Sequence, residues 1–146
     1  MKLNLQTDYA IRTLILLAAH KNRRFSIAQI ADAYKISRNH LMKIVPKLEK
    51  RRWIESVPGP GGGISLVAGA EELSLSEIVE AFEPLDQLVE CFDPENNTCP
   101  ITPVCGLKRV LVKAQRQFVE SLAHTTVSDI ARPRTELTKL LGLHSP

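Results

Sequence analysis

From Ser26 to Ile44 the chain carries a spacing of capping, small and apolar residues that fits a helix-turn-helix unit. Ser26-Ile27-Ala28-Gln29 has the form of a capping box, in which side chain and backbone satisfy each other at a helix start. Ile30 and Ala31 are expected to face the second helix, with Ile36 plugging the turn. Ser37 is placed to cap the second helix, and Leu41 and Ile44 to pack beneath it. The small Ala31 falls where the two helices approach most closely. Lys35 stands where Gly commonly supplies a left-handed residue, a departure that costs about 1 kcal/mol.

The flanks extend this unit. Apolar Ile11, Leu14, Ile15, Ala18 and Ala19 recur at helical spacing and predict a helix from Leu3 to His20, capped by Thr7 or Asp8. Lys21–Phe25 reads as a basic loop. Pro46 predicts a kink, or the end of the second motif helix near Val45, because an interior proline removes a hydrogen bond. Trp53–Val57 and Ile64–Val67 read as strands around a turn at Pro58–Gly63, which makes a β-hairpin wing. Ser74 or Ser76 is expected to cap a short helix ending near Phe82, and Gly106 to open a long one to about His124. On that long helix Leu107, Val110, Leu111, Ala114, Phe118 and Leu122 form a narrow apolar seam, which suits packing against a twin. Thr126–Ala131 and Thr135–Leu141 read as closing helices.

Charge is divided between the halves. Residues 1–69 carry 12 Lys and Arg against 4 Asp and Glu, whereas residues 70–146 carry 7 against 12. A basic first half built around a helix-turn-helix points to nucleic acid. Ser37, Arg38, Asn39 and His40 open the recognition helix, and Lys43 and Lys47 follow on the side away from the apolar stripe. Arg and Asn are suited to bidentate bonds with base edges, and Lys neutralises phosphate. Ser26, and Gly62 and Gly63 in the wing turn, complete the expected DNA-facing set. The three consecutive glycines leave the backbone bare enough to approach phosphate, and they also suit a plain flexible turn.

Cys91, Cys99 and Cys105 are the only cysteines in the chain. An odd, clustered set argues for metal or redox chemistry in a reducing cytoplasm and against a disulfide framework. Seven and five residues separate them, without the tight two-spaced pairs of zinc sites. Such spacing, with Pro94, Pro100, Pro103 and Gly106 nearby, lets a loop wrap an object larger than one ion, such as an iron–sulfur cluster. Three thiolates leave a fourth position for another residue, a small molecule or the partner subunit. Three unligated thiols and a disulfide redox switch are the alternatives. His20, His40, His124 and His144 are scattered, and no acid–base constellation of an enzyme is present in the sequence. Asp8 and Arg12 interrupt the apolar N-terminus, so no secretion signal is expected, and no stretch is long enough to span a membrane.

The strings Leu5-Gln6-Thr7-Asp8-Tyr9-Ala10-Ile11-Arg12 and Ser37-Arg38-Asn39-His40-Leu41-Met42-Lys43-Ile44, the Gly-rich wing and the spaced cysteines together resemble the Rrf family of winged-helix repressors. Cys91-Phe92-Asp93-Pro94 and Cys99-Pro100-Ile101-Thr102-Pro103, with Arg38-Asn39-His40, are most similar to its nitric-oxide-sensing NsrR branch. The resemblance implies a homodimer with an iron–sulfur cluster, 4Fe–4S before 2Fe–2S, on Cys91, Cys99 and Cys105. It also implies an oxygen ligand from the partner subunit's Asp8, with Arg12 balancing or orienting that carboxylate. The DNA partner implied is an A·T-rich palindromic operator, and the signal is nitric oxide. Lys108 stands where the IscR branch has a ligating histidine, which counts against that branch, and the iron-sensing RirA type remains the close alternative. The wing departs from the family, with Pro58 and Pro60 flanking Gly59 where arginines are common.

The expected architecture is mainly α: a winged helix-turn-helix with a small β-hairpin wing and a long C-terminal dimerisation helix. Residues 1–69 form the DNA-binding domain, 70–106 a connecting helix and cluster loop, and 107–146 the dimerisation and closing helices. The expected function is repression of nitric-oxide detoxification genes, with iron or redox sensing on the same scaffold as the alternative and a thiol-based electron carrier as a distant third.

Overall fold

A computed structural model describes residues 2–143. The last residues of the expected C-terminal unit, His144 among them, lie outside the described residues. The chain forms α1 (Leu5–Ala19), α2 (Ile27–Tyr34), α3 (Arg38–Lys50), β1 (Ile54–Val57), β2 (Gly63–Leu66), α4 (Leu75–Phe82), α5 (Gly106–Ala123), α6 (Val127–Ile130) and α7 (Arg134–Leu140). Short 3-10 turns punctuate the stretch between α4 and α5. The mainly helical winged fold is the one expected from the sequence.

The helix-turn-helix forms as its local chemistry dictates. Ser26 Oγ accepts the Gln29 N–H at 3.1 Å, and Gln29 Oε1 accepts the Ser26 N–H at 2.8 Å. Lys35 takes φ 54 and ψ 45, and Ser37 caps α3 through the His40 N–H. Ile30, Ala31, Leu41 and Ile44 are buried together with α1, which packs against α3, α4, α6 and β2. Because Lys35 holds a left-handed conformation that Gly adopts freely, Lys35→Gly is expected to raise stability by about 0.5–1 kcal/mol in urea unfolding.

Two boundaries differ from expectation. Asn4, not Thr7 or Asp8, caps α1, accepting the Thr7 N–H at 2.9 Å. The cause is tertiary. Glu83 accepts the Asn4 N–H at 2.8 Å and the Thr7 hydroxyl, while Asn4 Nδ2 donates to the Phe82 carbonyl at 2.7 Å. These bonds fix the start of α1 against the end of α4 and bury Thr7. The second difference is α3, which does not end at Val45 but continues through Pro46 to Lys50. Pro46 lies on the solvent side, as does Met42 one turn earlier at 60% exposed. Water can therefore serve the carbonyl that lost its partner.

β1 and β2 pair antiparallel, with Ile54 opposite Leu66 and Val57 opposite Gly63. Phe25 adds a bridge to Ile64, exchanging bonds of 2.9 and 2.8 Å. The hairpin turn requires glycine at Gly62, where a Cβ would stand 2.1 Å from the Val57 carbonyl oxygen. None of the 18 residues of α5 is buried, although the helix packs on α4. Among the described residues no helix is long and apolar enough to cross a membrane.

Candidate nucleic-acid interface and thiol site

The residues expected to face DNA begin at the α3 N-terminus. Ser37, Arg38, Asn39 and His40 are all exposed, and Lys43 and Lys47 continue the same solvent face. Arg38 Nη2 lies 3.1 and 3.2 Å from the two Asp32 carboxylate oxygens. Both side chains are well exposed, so the pair contributes at most about 1 kcal/mol and does not hold Arg38 back from a stronger partner. Lys47 donates to the Gln6 side-chain oxygen, and the His40 ring lies 5.9 Å from that of Tyr9. The recognition helix is thus tied at two points to the first turns of α1. Ser26 is exposed but its Oγ is engaged as a cap. The Gly62 N–H is committed inside the turn, to the Gly59 carbonyl at 2.9 Å.

The three thiols lie on one stretch. Cys91 sits in the 3-10 turn Glu90–Phe92, Cys99 precedes the turn Thr102–Val104, and Cys105 caps α5. All three are half-buried and free of disulfides. Cys105 Sγ accepts the Lys108 N–H at 3.4 Å at the start of α5. Side chains shape the stretch around them. Glu90 Oε1 accepts both the N–H and the hydroxyl of Thr98, and Asn97 Oδ1 accepts the Cys99 N–H at 3.1 Å. Asp93 receives Asn96 Nδ2 at 2.6 Å and the Glu95 N–H at 3.0 Å.

These bonds lower the pKa of Glu90, chiefly through Thr98, and of Asp93, chiefly through Asn96. Depressed carboxyl pKa values mean that the scaffold is intact above the ordinary carboxylate range. It loosens as pH falls through the lowered folded values.

Asp8 lies on α1, apart from this stretch in sequence. Its carboxylate is forked by Arg12, with Nη2 to Oδ2 at 2.8 Å and Nε to Oδ1 at 3.0 Å. Arg12 also opposes the effect of burial on Tyr34, whose hydroxyl pKa is pushed up to about 12. Among the described residues no three His, Cys, Asp or Glu side chains converge as a site for a metal ion. Three soft sulfur donors, one of them at the start of α5, suit a sulfur-bridged group of several irons better than a bare ion.

A model of Rrf2, described as an iron-dependent transcriptional regulator, matches residues 3–133. The chain belongs to the Rrf2 family. It is 42% identical to the HTH-type transcriptional regulator NsrR of Bacillus subtilis (strain 168), over 98% of this chain and 99% of that one. Among solved structures, the oxidised form of Staphylococcus aureus CymR superposes with a TM-score of 0.70 at 25% identity, covering 90% of this chain and 97% of that one. T. potens IscR gives 0.73 at 21% identity, covering 100% and 93%, and shows the same fold.

Within this Rrf2 chain, the sequence predicted the second motif helix, α3, but not what holds α1. The Asn4–Glu83 and Thr7–Glu83 bonds join residues 79 and 76 positions apart, and no local pattern signals them. For the exposed recognition residues, Arg38→Gln is expected to cost about 1–3 kcal/mol in operator binding and to relax preference at one base pair. An anisotropy titration against single-base operator variants measures both effects.

Proposed function

We propose that this chain is a dimeric transcriptional repressor that reads an A·T-rich palindrome and senses nitric oxide through an iron–sulfur group, governing nitric-oxide detoxification genes. The observation that carries the reading is the union, in one chain, of an exposed recognition helix with three free thiols on one short stretch. The NsrR-named relatives support it. On this reading residues 1–69 read DNA, 70–106 hold the group, and 107–146 pair the protomers.

Cys91, Cys99 and Cys105 would hold the group, with the partner subunit's Asp8 supplying an oxygen ligand. The chemistry it supplies when bound is iron reactive toward nitric oxide, in a 4Fe–4S form before a 2Fe–2S one. The chain's own residues prepare for this. The Lys108 N–H holds Cys105 Sγ in place at the start of α5. Arg12 balances the Asp8 charge and fixes its orientation through two bonds. Asp8 is carried by the helix that touches α3 through Tyr9–His40 and Gln6–Lys47, so a displacement of Asp8 bears directly on the recognition helix. A signal acts only through such a difference between two states.

The iron dependence in the family description favours a second reading, in which the same scaffold reports iron supply. The two separate in one experiment. Operator affinity of anaerobically prepared, cluster-loaded protein is measured after stoichiometric nitric oxide and, separately, after an iron chelator. Release by nitric oxide alone supports the first reading, and release by chelator alone selects the second. Unchanged affinity in both arms overturns each.

A further inference from the structure

The wing has no cation of its own. From Trp53 to Gly69 the only charged residue is Glu55, whose carboxylate accepts the Ser65 hydroxyl at 3.1 Å. A hairpin laid beside DNA without a positive charge has only neutral backbone contacts to offer the phosphates and releases no counterions from them, the term that supplies most of the sequence-independent affinity. We propose that Arg24, in the loop between α1 and α2, is the phosphate-binding cation of this wing; the inference rests on the operator-binding reading above.

The placement is made by backbone. Phe25 pairs with Ile64 through two hydrogen bonds and so acts as a short third strand of the wing sheet. Arg24 is thereby set beside Gly63. A Cβ built on Gly63 would meet Arg24 Cβ at 3.2 Å and the Phe25 carbonyl at 3.1 Å. Gly63, at φ +132, lacks the side chain that would push Arg24 away. Gly63 lies opposite Val57, at the turn end of the hairpin.

The other cations nearby are occupied or sited elsewhere. Lys21 is paired with Glu71 at 2.6 Å. The Arg23 guanidinium stacks 4.7 Å above the Phe25 ring. Arg51 donates to the Ala81 carbonyl at 3.0 Å and lies over Trp53 and Phe82. Arg52 precedes the other end of the hairpin, where Ile54 faces Leu66. Arg24 is exposed, and among the described residues it has neither a salt bridge nor a side-chain hydrogen bond. Its charge therefore stands unspent at the turn end of the wing, where the hairpin itself offers only glycines and prolines.

The test uses full-length protein and two duplexes of equal length, an operator selected with the wild type and a scrambled sequence. Affinity is measured across a salt series for the wild type, Arg24→Gln and Arg24→Lys. The expected result is a severalfold loss on both duplexes for Arg24→Gln, with the slope of log affinity against log salt reduced by about 1. Arg24→Lys keeps the slope. The Phe25–Ile64 bridge is backbone-only, so the thermal midpoint of Arg24→Gln should match the wild type. Unchanged affinity and slope for Arg24→Gln overturn the inference. A loss confined to the operator with the slope unchanged also overturns it, because that result assigns Arg24 to base reading. Should the wild type itself bind neither duplex, the operator-binding reading fails and the inference with it.

Discussion

Cys99→Ser is expected to bring operator binding down to the level of non-specific DNA while the protein stays folded. Specific affinity exceeds non-specific affinity by about a thousandfold or more in regulators of this kind, and that whole margin is at stake. Cys99 is half-buried, forms no disulfide, and shares its stretch with no member of the buried core. Ser has nearly the same shape, and the bond that orders the loop here uses the Cys99 backbone N–H, not its sulfur. A structural loss should therefore stay within about 0.5 kcal/mol, the usual range for surface substitutions. The measurement pairs an anaerobic anisotropy titration with a thermal melt. Full operator affinity in Cys99→Ser would remove the thiols from the regulatory account. The same result is expected for Cys91→Ser and Cys105→Ser.

The second large effect concerns assembly. The double substitution Leu107→Asp and Val110→Asp is expected to give a monomer at micromolar concentration. Leu107 is 65% exposed and Val110 64%, and with Val104 they form an uncovered apolar run at the start of α5. Beside them, Leu3, Leu85, Leu88, Leu111 and Phe118 line an apolar groove. A twin α5 laid along this surface buries four of these side chains per dimer, two from each protomer, each worth about 1.5–3 kcal/mol. Replacing them with carboxylates removes roughly 6 kcal/mol or more, over ten-thousandfold in the association constant. Both positions are exposed in the protomer, so folding is spared. Sedimentation equilibrium reads the mass directly. A variant that remains dimeric assigns the interface elsewhere. Operator affinity should fall together with the dimer, because a palindrome rewards two reading heads held at half-site spacing.

The parts legible in the sequence are those built from neighbours. The capping box at Ser26, the left-handed Lys35 and the Ser37 cap each depend on residues within four positions, and each formed as expected. The wing followed from two short strand-like runs around a turn rich in proline and glycine. Of the two outcomes expected at Pro46, the helix end near Val45 did not occur, because helix interruption depends on burial and this face is wet. The start of α1 was misplaced because Glu83, far along the chain, decides it. Arg24 was invisible as a wing residue because the Phe25–Ile64 pairing that carries it there is non-local. The thiols were legible as residues. The described residues do not bring three of them together as a metal site, and the proposed group and the partner subunit's Asp8 both come from outside the single chain.

Iron and acid-labile sulfide, quantified on protein isolated without oxygen, test the central claim most directly. The account predicts both, at about four of each per chain for a 4Fe–4S group, and their disappearance in Cys99→Ser. Wild-type protein that contains neither, and takes up neither on anaerobic reconstitution, contradicts it.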